Sequence, residues 1–115
     1  MKYLDDKLAK PTDKSYNRKR SDKQEKKLAK EFGGKTTINS GATFGQNDII
    51  TPVFEIEAKT TSKKSFTLKL EDLKKLQRKC DKNKVPIFIV EFEGNDEYVI
   101  VNKNFFTLWN SMPVL

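Results

Sequence analysis

Apolar and polar positions alternate most cleanly over Val53–Lys59, which reads Val-Phe-Glu-Ile-Glu-Ala-Lys. Period-two alternation is the mark of a half-buried strand. It sends Phe54, Ile56 and Ala58 to one face and Glu55, Glu57 and Lys59 to the other. The apolar face can pack on a helix. Upstream, Leu28, Ala29 and Phe32 recur at helical spacing, and Gly33-Gly34 supplies a stop. Ser21 with Gln24 three residues on matches a capping box, which predicts a helix over Lys23–Phe32. Lys35–Ser40 and Asp48–Thr51 read as strands, joined by the small-residue turn Ser40–Gly45. Pro52 marks a tight turn into the central strand, so the strands on either side of it form a hairpin.

Downstream, Leu70, Leu73, Leu76 and Cys80 repeat at helical spacing within Lys69–Lys82. Cys80 is expected as a core thiol. The run Pro86–Phe92 is almost continuously apolar, as in a strand covered on both faces. Glu97–Asn102 is a further strand, and Asn104–Trp109 a short helix with Phe105, Phe106, Leu108 and Trp109 clustered near the terminus. A strand, helix, strand order over 53–92 predicts a right-handed crossover between parallel strands. The fold class expected is α/β, a mixed sheet of about five strands flanked by helices.

Composition sharpens this picture. At 115 residues the chain is one domain with a modest core. Residues 1–20 carry few apolar side chains and read as a basic flexible arm, leaving 21–115 as the folded domain. Of the net charge of +7, much lies in residues 14–30, where eight Lys and Arg face only Asp22 and Glu25. That density suits a polyanion partner or a solubilising tail. There is one cysteine and no histidine. No disulfide can close within the chain, which suits a reducing compartment. His/Cys zinc sites and a histidine base are excluded, so metal chemistry would use oxygen ligands and hence magnesium, with manganese able to substitute. No apolar run approaches the ~18 residues of a membrane span, so a cytoplasmic protein is expected.

The polar strand face gives these limits a chemistry. Asp48 lies nine residues before Glu57, across the expected hairpin. Two carboxylates from neighbouring strands can hold a divalent cation, with the Ala58 carbonyl as a further oxygen. Lys59 shares the Glu57 face, ~6.5 Å along at ~3.3 Å per residue. Its ammonium can orient a water or neutralise a phosphate oxygen. Cross-strand ion pairs on a solvated face produce the same Glu-x-Lys letters. Glu25 falls on the apolar stripe of the first helix, either as a third acid of the site or at the stripe's edge, paired or solvated.

The series Glu25, Ser40-Gly41, Asn47-Asp48-Ile49 and Glu57-Ala58-Lys59-Thr60, followed by a helix and an apolar strand, resembles the PD-(D/E)XK nuclease superfamily over residues 21–102. Within it, the small Holliday-junction resolvases of archaeal type and their phage-encoded relatives are most similar. The resemblance implies a restriction-endonuclease-like mixed sheet and magnesium dependence. It also implies a twofold homodimer that cuts branched DNA in recombination and repair, inside a bacterial, archaeal or virus-infected cell. Asp48 and Glu57 would bind the metal, Lys59 would be the catalytic lysine, and Glu25 would reach the metal through water. Ser40 would match a serine near the scissile phosphate. The chain departs from the pattern at Asn47, where these resolvases carry glycine, and in its long N-terminal arm. Arg18, Lys19, Arg20, Lys23, Lys27, Lys63 and Lys64 are the expected DNA contacts. The alternatives are a repair or restriction-like nuclease on the same scaffold, or a basic nucleic-acid-binding protein without catalysis.

Overall fold

The computed structural model describes residues 13–37 and 46–113, with side chains from Lys19 onward. In chain order the elements are α1 (Asp13–Phe32), β1 (Lys35–Thr36), β2 (Ile49–Ile50), β3 (Phe54–Thr61), α2 (Leu70–Lys79), β4 (Val85–Phe92), β5 (Glu97–Val101) and α3 (Lys103–Asn110). The five strands form one mixed sheet in the order β1-β2-β3-β4-β5. β1, β2 and β3 are antiparallel neighbours. β3 and β4 run parallel in register from Phe54 opposite Val85 to Thr61 opposite Phe92, with α2 as the crossover. β5 closes the sheet antiparallel to β4. The α/β class, the hairpin and the parallel crossover expected from the residues are all present.

The alternation in β3 divides the molecule into layers. Ile56 and Ala58 face α1, packing with Leu28, Ala29, Ile49, Ile87 and Ile89 in the main buried cluster. Phe32 meets Phe54 edge to face at its end. The opposite face of the sheet presents Phe88 to Leu76 of α2, and both are buried. α2 is anchored mainly by Leu76, since Leu70 is exposed and Leu73 only half-buried. This thin contact leaves a cleft between α2 and the polar row of β3.

The first helix corrects the sequence reading. It begins at Asp13, not Lys23, so the expected arm is helical from residue 13. Ser21 and Gln24 therefore sit inside a helix and cap nothing. Gln24 is 2% exposed, and its amide donates to the Lys59 carbonyl at 2.8 Å. At the other end the glycines act as expected. Gly33 takes φ +68°, and the Gly34 N–H bonds the Ala29 carbonyl at 2.8 Å, a Schellman-type close. A side chain at Gly34 would strike the Ile50 carbonyl, so this turn lets α1 lie tight against β2.

Candidate active site

β2 is only two residues long, and its shortness builds the site. Ile49 pairs with Ile56, so Asp48 leaves the ladder just where β3 continues past it. The Ala58 N–H lies at that break, and the Asp48 carboxylate accepts it through Oδ2 at 2.9 Å. Asp48 is thereby fixed near the sheet plane and is 7% exposed. Glu57 and Lys59 project into the cleft, with Lys59 Nζ 3.3 Å from Glu57 Oε2. The cleft, about 170 Å³, is walled by Asn47, Glu57, Lys59 and Phe88 on the sheet side.

Electrostatics tie the acids together. Burial raises the Glu57 carboxyl, Asp48 raises it further, and Lys59 and then Lys79 pull it back. Glu25 rises from 4.5 to about 7 through burial, then Asp48, Asp22 and Glu57, against Lys59. Glu25 approaches from the α1 layer and Glu57 from the α2 face. Both feel Asp48 because its carboxylate sits at the break between layers. Glu25 is half-buried at the edge of the helical stripe, within reach of these charges. Among the described residues no three acids or thiols form a ready-made cage for an ion. Asp48 and Glu57 influence each other through their charges, with Glu25 in electrostatic reach of both. Half-desolvated carboxylates near one another repel; Lys59 and proton uptake relieve part of this, and a divalent cation would relieve more. The residues present fit a hard cation with oxygen ligands. Ala58 contributes its N–H to Asp48; its side chain belongs to the core.

Glu55 has a structural part that sequence reasoning missed. It is 5% exposed. Asn47 Nδ2 donates to its Oε1 at 3.0 Å and the Asp81 N–H to its Oε2 at 2.9 Å. Asn47 Nδ2 also lies 3.3 Å from the Leu76 carbonyl. Asparagine here thus links β3 to α2 and sets the floor of the cleft. Cys80, at the end of α2, is half-buried, and its thiol is raised to about 11 by burial, then Glu55 and Asp81.

The expected DNA contacts divide. Lys19 and Lys23 are exposed on α1, and Lys63 and Lys64 are exposed beyond β3. Arg20 is not a surface cation. Its guanidinium donates to Thr60 Oγ1 at 2.8 Å and lies 3.7 Å from Glu93, locking α1 to the ends of β3 and β4. Lys27 is paired with Glu97 at 2.7 Å. It sits two residues after Glu25, about 200° round the helix, on the side away from the acids. Ser40 and the side chain of Arg18 lie outside the described residues. Gln24 was detectable, being four residues before Leu28 on the same helical stripe.

No family model, curated protein or solved structure matches this chain. Among the described residues no helix is long and apolar enough to cross a membrane.

Proposed function

We propose that this protein is a magnesium-dependent, structure-selective DNA endonuclease of the Holliday junction resolvase kind, on a restriction-endonuclease-like sheet. The observation that carries the reading is the meeting of Asp48, Glu57 and Lys59 at the break beside β2, with Glu25 raised by the same charges. Asp48 and Glu57 would hold the metal, with the Ala58 carbonyl as a further oxygen. Magnesium or manganese there would supply a Lewis acid and lower the pKa of a bound water, so that its deprotonated form can attack phosphorus near neutral pH. Lys59, 3.3 Å from Glu57 on the same cleft, would orient that water and neutralise a phosphate oxygen with its ammonium. The Ala58 N–H holds the Asp48 carboxylate in one orientation, and Gln24 pins the β3 backbone at the Lys59 carbonyl, so Asp48 would not have to be ordered during reaction. Glu25, in reach of the Asp48 and Glu57 charges, would accept a hydrogen bond from a metal-bound water.

Branched DNA, a cytoplasmic setting and a homodimer complete the proposal. Exposed Lys19, Lys23, Lys63 and Lys64 support the first. Exposed Phe106, Leu108 and Trp109 support the last. The test is incubation with four-way junctions and linear duplex in magnesium. Junctions should be cut in preference, and Asp48→Asn, Glu57→Gln and Lys59→Ala should each lose ~10²-fold or more in rate. Cutting confined to linear DNA would move the reading to a repair or restriction-like nuclease. DNA binding without cutting would leave a non-catalytic module.

A further inference from the structure

The cleft has a second wall, which the metal chemistry does not use. α2 turns Asp72, Lys75, Leu76 and Lys79 toward it. These positions lie three and four residues apart, so they form one stripe, with Leu76 as the buried anchor and the two lysines beside it. Among the described residues neither Lys75 nor Lys79 lies within 4 Å of a carboxylate; the ion pairs there involve Arg20, Lys27, Lys59 and Arg78. Lys79 is nevertheless close enough to Glu57 for its charge to lower the acid's proton affinity.

A cation held by Asp48 and Glu57 would cancel the negative charge that these lysines face. Lys59, Lys75 and Lys79 would then line a cleft whose remaining acid is Asp72. Three ammonium groups in one cleft need an anion to be favourable. At about 170 Å³ the space is below the ~300–1,000 Å³ typical of clefts that enclose a small ligand. It suits one anionic group of a longer chain running past.

We infer that Lys75 and Lys79 form a phosphate-binding wall that grips a DNA backbone phosphate next to the one being cut. The inference rests on the nuclease reading and names a contact that reading lacks. The two lysines bind phosphate as point charges, so their effect is uniform across base sequence.

The test measures DNA binding with calcium in place of magnesium, so that a hard cation is present while cutting is suppressed, as a function of salt, for the full chain. Lys75→Ala and Lys79→Ala should each reduce the log–log salt slope, and the double variant should reduce it by ~0.9, the share of one phosphate. Lys75→Arg and Lys79→Arg should restore it. Lys74→Ala, on the same helix but off the cleft, should keep the wild-type slope. Circular dichroism of each variant checks the fold, and the arginine variants remain informative if an alanine variant unfolds. Wild-type binding with slopes unchanged in the folded double variant would overturn the wall and leave the nuclease reading standing. No salt-dependent binding by the wild type would overturn both.

Discussion

Glu25 carries the clearest signature of crowding at the scale of single residues. Its raised proton affinity means the folded chain binds a proton more tightly than the unfolded chain does. The stabilisation this gives is fully present below pH 4.5 and is lost as pH rises to about 7. In metal-free buffer, stability from urea unfolding should therefore fall across that window, and Glu25→Gln should flatten the fall. Asp48→Asn should shift the Glu25 titration, followed by carbon NMR of the carboxyl, downward, because the asparagine oxygen still accepts the Ala58 N–H while the charge is gone. A Glu25 midpoint untouched by Asp48→Asn would mean the two do not share a site. Asp48, Glu57 and Lys59 were legible as a set because strand alternation and a nine-residue hairpin spacing are local properties. The separate fates of Glu55 and Glu57 were not. Both share a face, and only the position of α2 decides that Glu55 is walled in while Glu57 opens on the cleft.

Among the elements, β3 carries most of the organisation. One of its faces supplies core residues to α1, its backbone pairs with β2 and β4, and its other face supplies Glu55 to the α2 connection and Glu57 with Lys59 to the cleft. The strand, its hairpin and its crossover were readable from alternation, Pro52 and the 53–92 order. The start of α1 was not. Ser21 and Gln24 satisfy a four-residue pattern, but Arg20 binding Thr60 and Gln24 binding Lys59 are contacts 40 and 35 residues distant in sequence. Those tertiary bonds keep the helix running through the apparent cap. Two stability predictions belong at this level. Leu28→Ala should cost about 2–5 kcal/mol in urea unfolding, since Leu28 is 1% exposed in the main core. Glu55→Ala should cost about 1–3 kcal/mol or more, because it strands the buried Asn47 amide and the Asp81 N–H. A cost near zero for Glu55→Ala would mean water replaces the carboxylate and the link to α2 is slack.

Across the whole molecule, charge and apolar surface are segregated. Glu57, Asp72 and the cleft lysines lie between α2 and β3. α3 exposes Phe106, Leu108 and Trp109, with Trp109 70% exposed. Phe106 and Trp109 meet edge to face there without being covered. A symmetric dimer through α3 would bury this patch and give two cutting centres for two strands. Sedimentation at micromolar concentration should give a dimer mass, and Leu108→Ala with Trp109→Ala should give a monomer with its metal binding intact. A monomeric wild type, with and without DNA, would remove the dimer.

All of this turns on whether the Asp48 and Glu57 carboxylates share one divalent cation. Calorimetric titration of the full chain with manganese measures that directly. Saturable uptake that Asp48→Asn and Glu57→Gln abolish, and that Lys59→Ala retains, is the expected result. No saturable uptake, or uptake that survives the loss of both carboxylates, would contradict it.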